Sequence, residues 1–314
     1  MYKDMDIITI GEGLIELSSS ESLMTTENFS KSYGGDTLVS AISASKSGLN
    51  VGYITRVGND DFGEYLTSAW KQEGLDISQV KLTEGVNGFY FLTSENEGVH
   101  VTYYRKKTAA CNLSVDDIDF DYIKSAKMVY ATGFVQSLSL SCAEVVKEIF
   151  SYAKKNNIIT AYDVNFSPKV WDKKEAREAF EDVAENIDVL FMNTKKDAPA
   201  IFELESIDKI SKQITDLGIT TAVIKDNNKI YVLHEGQIFE ENRIQIENMS
   251  EQDLTGSSAG FNGVFMSYLI KGNSPIESLR YAICSEFLQK QKIGAVKSIS
   301  NKVEIEELHR RIYG

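Results

Sequence analysis

The chain has 314 residues, 42% of them hydrophobic, with 33 basic against 46 acidic side chains and a formal charge of −13. That is enough apolar material for a large core, and the acidic balance argues against nucleic acid or an anionic membrane as a partner. A phosphate ligand stays open, because a nest of backbone N–H groups holds anions locally whatever the net charge. Cys111, Cys142 and Cys284, with His100, His234 and His309, are too few and too dispersed for a disulfide framework, a metal site or a His-based triad. No stretch has signal-peptide or transmembrane character, so the expectation is a cytoplasmic protein.

Residues 6–11 predict a buried strand closed by a glycine, and 13–18 a second extended piece. Tyr33-Gly34-Gly35-Asp36-Thr37 opens a small-residue helix over 38–46, ended by Gly48. Residues 51–58 read as a strand and 64–72 as a helix stopped by Gly74. This strand–helix alternation builds a parallel sheet covered by helices.

Residues 86–106 break the rhythm. Two alternating runs, 88–92 and 99–105, flank Glu95-Asn96-Glu97-Gly98, the pattern of a hairpin. With no helix beside it, the hairpin is expected to form a small lid sheet with parts of 11–35. Its uncovered apolar face needs a partner, and the simplest is the same lid on a second copy, which predicts a homodimer.

The alternation then resumes, with strands over 127–133, 158–165, 189–193, 220–225 and 230–233. Helices are expected over 142–156, 173–186, 207–217, 260–270, 275–290 and 303–313. There is no flexible linker and no repeat, so 1–314 is expected to form one α/β domain, its lid built from about 11–35 and 86–106.

The stretch from Glu251 to Gly263 places small residues directly before an apolar helical pattern. The first N–H groups of such a helix lack intrahelical partners, and with the helix dipole they favour an anion. The segment resembles the phosphate-loop signature D-T-x-G-A-G-D-x-F of the ribokinase (pfkB) family of sugar kinases, with Asp253, Thr255, Gly256 and Phe261 on the pattern. Leu254 replaces a threonine, Ser258 a glycine, and Ala259 the last aspartate, which in that family takes the proton from the sugar hydroxyl. The resemblance runs from Gly11-Glu12 to Gly294-Ala295 and is greatest to 2-keto-3-deoxygluconate kinases. Three stretches carry it: 33–37, like G-G-D-T-x-N; 103–110, like Y-x-R-x-x-S-A-A; and Asp163-Val164-Asn165-Phe166 with Trp171, like D-x-N-x-R-x-x-L-W.

The resemblance implies a ribokinase-like three-layer α/β fold, with a mostly parallel central sheet between helices and a small β-sheet lid. It implies ATP and Mg as cofactors and a sugar or keto-sugar acid as the small-molecule substrate. The implied sugar contacts are Gly34, Gly35, Asp36, Tyr90, Tyr104, Asp163, Asn165 and Asp253, with Arg105 as a clamp for a carboxylate. Asn193, Lys225, Thr255 and Gly256 are implied on the nucleotide side, and Gly256, Ser257, Ser258 and Ala259 form the catalytic loop. Asp163, Asn165, Asn193 and the 253–260 loop all fall at the carboxyl ends of expected strands, where ligands of open α/β sheets bind. Structural roles stay open for some of these: a turn and N-cap at 34–36, lid packing for Tyr90, a solvated charge for Arg105.

Departures gather at the phosphate end. Phosphoryl transfer needs positioning, charge neutralisation and a carboxylate to accept the hydroxyl proton. A methyl group at 259 cannot accept it, and a general base contributes ~10²–10⁴ in rate. Ser258 puts a side chain where the anion nest wants glycine. Ser167 replaces the arginine of D-x-N-x-R, and Lys196 replaces the glutamate of N-x-x-E that supports magnesium. Lys225-Asp226-Asn227-Asn228-Lys229 lacks both glycines of L-G-x-x-G, and Val39 stands for a sugar-side asparagine. The hydroxyls of Thr255, Ser257 and Ser258 can still cap the helix. The expectation is a pfkB-family sugar-kinase homologue with strongly impaired or absent phosphoryl transfer. The alternatives are a non-catalytic sugar-acid-binding protein acting as sensor or regulatory partner, and a structural partner of an active homologue.

Overall fold

The structure, a computed structural model, describes residues 4–95, 98–245 and 255–314. In chain order the first half contains β1 (Met5–Ile10), β2 (Leu14–Ser19), β3 (Ser30–Gly34), α1 (Asp36–Lys46), β4 (Val51–Gly58), α2 (Asp61–Gln72), β5 (Val80–Thr83), β6 (Phe89–Glu95) and β7 (Gly98–Tyr104). After two short turns come α3 (Phe120–Lys124), β8 (Ala126–Thr132), α4 (Gly133–Gln136), α5 (Leu140–Lys155), β9 (Ile159–Asp163), α6 (Lys173–Ala184), β10 (Val189–Asn193) and α7 (Asp197–Ile201). The last part holds α8 (Ile207–Asp216), β11 (Thr221–Lys225), β12 (Lys229–His234), β13 (Gln237–Asn242), α9 (Ser257–Ile270), α10 (Pro275–Lys290) and α11 (Lys302–Tyr313).

Nine strands form the main sheet in the order β13-β12-β11-β10-β9-β8-β1-β4-β5. All pairs from β11 to β5 are parallel, and β12 and β13 are added antiparallel at one edge. Central strands such as β1 are apolar on both faces because helices cover both. The edge strand β13 is mostly exposed and polar, so its sequence carries no apolar alternation and the strand was not expected.

Helices α5, α6 and α8 pack on one face around Val146, Ile149, Phe150, Phe180 and Ile210. On the other face α1, α2, α9, α10 and α11 surround Leu38, Trp70, Phe261, Phe265 and Leu279. Each such fully buried side chain contributes about 1.5–3 kcal/mol. The covering helices change face between β1 and β8, so the carboxyl ends of these neighbouring strands open a crevice at a topological switch point.

A second sheet, ordered β3-β2-β6-β7, lies over that crevice as the lid. Its inner face carries Leu14, Tyr90, Val101 and Tyr103. Its outer face carries an aromatic row in which Phe29 and Phe89 meet Phe91, and Phe89 stacks on Tyr104 with centroids 4.9 Å apart. Among the described residues no helix is long and apolar enough to cross a membrane.

Candidate active site

A cavity of about 310 Å³ lies between the inner face of the lid and the carboxyl ends of the sheet. Leu14, Tyr90, Val101, Tyr103 and Phe134 wall one end; Thr255, Gly256, Ser258 and Ala259 close the other. Asp36, in the first turn of α1, accepts from Thr132 Oγ1 at 2.6 Å and Asn165 Nδ2 at 2.9 Å through Oδ2, and from the Thr37 N–H at 2.8 Å through Oδ1. Two chain segments thus hold the carboxylate in one orientation, and its remaining lone pairs can accept from sugar hydroxyls. The preceding glycines are demanded by the protein itself. A Cβ at Gly34 would overlap the Tyr90 hydroxyl, and one at Gly35, where φ is 136°, would overlap the Glu12 carbonyl.

At the far end, α9 starts from Gly256 in a left-handed conformation (φ 75°), with no side-chain cap. The N-cap position falls on Gly256, which has no side chain to cap with. The Ser258 hydroxyl accepts from Lys225 Nζ at 2.8 Å. The helix start is fastened from outside, Ser40 Oγ donating to the Ala259 carbonyl and Ser43 Oγ to that of Gly260, both at 2.9 Å. Ala259 itself is half-buried and lines the cavity.

Lys225 is buried, and its ammonium also donates to the Ser258 carbonyl at 3.1 Å and to Asn262 Oδ1 at 2.7 Å. Burial pushes its pKa down to about 8 against the opposing pull of Asp163 and Glu286. Asn262 passes the contact on, its Nδ2 donating to Asp163 Oδ2 at 2.8 Å and to Tyr130 Oη at 3.2 Å. Burial raises the Asp163 carboxyl above the usual carboxylate range, with Lys225 opposing and Asp36 adding to it. Asp197 is raised too, by burial first and then by Asp163, although it accepts N–H groups from Phe166 and Asn193.

A second cavity of about 270 Å³ adjoins the first and shares Asp163, Asn165, Lys196 and Ser258 with it. Asn193, Lys195, Asp197, Lys225, Asp226, Arg243 and Glu286 also line it. Arg243 is occupied, pairing with Glu286 and donating to the Asn227 carbonyl at 2.9 Å. Magnesium needs free oxygen ligands. Here Asp197 is consumed by backbone and amide donors, two exposed lysines line the walls, and the described residues contain no cluster of three or more metal-ligating side chains. The described residues therefore form no ready-made cage for a divalent metal.

Of the residues singled out in the sequence, Gly35, Asp36, Tyr90, Asp163, Asn165, Thr255, Gly256, Ser258 and Ala259 converge on the first cavity, and Asn193 and Lys225 on the second. Four do not. Tyr104 is 52% exposed on the outer face of the lid, because strand alternation turns Tyr103 inward instead. Arg105 is buried and spent: Nε donates to Glu12 at 2.8 Å, the other nitrogens to Ser137 Oγ and the Phe134 carbonyl, and the guanidinium stacks 3.8 Å from the Phe134 ring centre. Gly34 is filled against Tyr90, whose hydroxyl donates to Glu16, and Ser257 is buried beneath the helix start. Asp253 and Glu251 lie outside the described residues. Sequence reading missed Thr132, Tyr103, Phe134, Asn262 and the Glu12 partner of Arg105. Two of these left a signal: Tyr103 as the first residue of the Y-x-R run, and Asn262 as an amide within a largely apolar helical run.

A three-layer α/β fold with a lidded cleft at the switch point of its sheet, floored by a helix N-terminus, defines the ribokinase-like class of small-molecule-binding proteins. The chain belongs to the pfkB family of carbohydrate kinases, whose family pattern matches residues 4–298. It is 28% identical over 313 residues to the 2-dehydro-3-deoxygluconokinase of Thermoproteus tenax, covering 97% of this chain and 94% of that one. It is also 28% identical over 244 residues to a 5-dehydro-2-deoxygluconokinase of Clostridium perfringens, covering 75% and 70%. In fold it is similar to the 2-dehydro-3-deoxygluconokinase of Thermotoga maritima, with a TM-score of 0.89, 21% identity and 98% and 99% of the two chains covered. A putative ribokinase II from E. coli, solved in complex with ATP and Mg, superposes with a TM-score of 0.90 at 21% identity, again over 98% and 99%.

Proposed function

We propose that the chain binds a sugar or sugar acid beneath its lid and transfers phosphoryl groups from ATP very slowly or not at all, serving as a sensor or regulatory partner. The observation that carries this is Ala259: its methyl group lines the cavity at the first turn of α9, where the family pattern has the proton-accepting aspartate. The carboxylates that remain in the cavity are engaged elsewhere, Asp36 with Thr132 and Asn165, and Asp163 with Asn262. The names of the similar enzymes favour a keto-deoxy sugar acid as ligand, and the oriented Asp36 supports a polyol at the lid end. The lysines at the other end weigh against ATP held through magnesium.

A second reading, a slow kinase, is favoured by Asp163, which lines the cavity and whose burial raises it towards the range of a general base. ADP release with ATP and 2-keto-3-deoxygluconate, measured for wild type, Ala259→Asp and Asp163→Asn, separates the two. The expected wild-type turnover is far below ~1 s⁻¹, with a gain of up to ~10²–10⁴ in Ala259→Asp. Ordinary wild-type turnover that is lost in Asp163→Asn would establish the second reading instead.

The outer aromatic row of the lid supports a homodimer through that face. Sedimentation of wild type against Tyr104→Asp tests it, a monomeric variant being the expected result.

A further inference from the structure

Resting on the reading that Ala259 leaves no proton acceptor, we propose that this end of the cleft holds a phosphoryl group already bonded to the sugar, neutralised by lysine and hydroxyl donors rather than by a divalent metal. Lys196 and Ser258 line both cavities, together with Asn165 and Asp163, and so stand where the polyol end meets the cationic end. Lys196 and its neighbour Lys195 are exposed, but the Asp226 carboxyl, held low first by the Thr194 hydroxyl, is also near enough to be lowered by Lys195. Among the described residues, the Lys196 charge is the one of the two left available to a ligand.

Ser258 is oriented for the same purpose. An ammonium has three donors and no acceptor, so in the 2.8 Å contact Lys225 must donate and the Ser258 oxygen must accept. The serine proton is then left to point elsewhere, and Ser258 is exposed on the cavity side. Lys225 thus converts an ambivalent hydroxyl into a donor. The first-turn N–H groups of Ser258 and Ala259 have no intrahelical acceptor and add to it.

A phosphomonoester has three outer oxygens to satisfy, and this set offers an ammonium, an O–H and N–H donors; a carboxylate has only two. The two carboxylates that line the first cavity are engaged elsewhere. Asp36 is bound to Thr132 and Asn165 at the polyol end, and Asp163 accepts from Asn262 beside the Lys225 ammonium. At position 259 a carboxylate would repel the phosphoryl group, whereas a methyl group leaves it room.

The test is calorimetric titration of the full chain with glucose, glucose 6-phosphate, gluconate and 6-phosphogluconate, each in EDTA and in magnesium chloride. Inorganic phosphate is followed separately by thermal shift. The phosphorylated member of each pair is expected to bind at least about tenfold more tightly than its parent, as charge-assisted donors would give, with no change on adding magnesium. Lys196→Glu is expected to abolish that ratio and Ser258→Ala to reduce it, with circular dichroism checking that both remain folded.

Equal affinities within each pair, a requirement for magnesium, or no stabilisation by phosphate or any phosphorylated probe would overturn the proposal. So would gluconate gaining over glucose as much as the phosphates gain, since that would assign the donors to a carboxylate. ATP turnover in the same preparation is a separate readout: turnover would remove the weak-transfer reading, while the metal-free phosphate ratio is judged on the titrations alone.

Discussion

Replacing Asn262 with leucine removes one amide from the centre of the site while keeping the volume nearly constant. Asn262 is fully buried and bridges two ionisable groups, accepting from Lys225 at 2.7 Å and donating to Asp163 at 2.8 Å. Each hydrogen bond to a charged group is worth about 1.5–3 kcal/mol. The apolar leucine returns about 1–2 kcal/mol by burial. Lys225 keeps both oxygens of Ser258, and Asp163 keeps the Asn165 N–H, so neither charge is wholly stranded. The net expectation is a loss of about 2–4 kcal/mol, read as a lower urea midpoint at pH 7 with an unchanged slope. Combining it with Lys225→Met should cost less than the sum of the two single changes, because they share one bond. A loss below ~1 kcal/mol, or strict additivity, would refute the idea that this amide holds the start of α9 against β9 and β11.

Burial holds the Lys225 amine at about 8, below its ordinary 10.5. Between those values the unfolded chain binds the extra proton, so stability from this group rises with pH across that window. Wild type should therefore gain on Lys225→Met between pH 8 and 10 in urea unfolding; a constant difference would contradict the burial argument. Glu12 and Arg105 form a buried pair, so Arg105→Met alone should cost about 3–5 kcal/mol, while Arg105→Met with Glu12→Leu is close to neutral. If Arg105→Met instead lost sugar affinity with stability intact, the guanidinium would have to reach the cavity. Tyr103→Ala should weaken sugar binding about tenfold or more by removing a cavity wall, and Tyr104→Ala should leave it unchanged, in paired titrations. Gly34→Ala should destabilise by about 1–3 kcal/mol because its methyl group meets the Tyr90 hydroxyl, with thermal unfolding as the readout.

Much of the architecture was legible in the chain order. Alternating strand and helix patterns foretold the parallel sheet, and the run at 86–106 foretold the lid hairpin, because periodicity and turn residues act over short distances. Polar β13 was not legible, since an exposed edge strand needs no apolar pattern. In the site, the methyl group at 259 could be read directly from residue identity, whereas the helix expected from 260 starts three residues earlier, at Ser257.

The partners of the charged side chains could not be read that way. Arg105 finds Glu12 across 93 residues, and Asn262 meets Asp163 across 99. Strand order and lid placement bring these pairs together, and spacing along the chain carries no trace of either. The same holds for Tyr103 and Tyr104, where a single step along β7 exchanges the cavity for the outer face. Local pattern and residue chemistry thus determined which elements form and that a methyl group stands at position 259. Only the assembled sheet and lid decided which charges are consumed inside the protein, like that of Arg105, and which line the cleft, like that of Lys196.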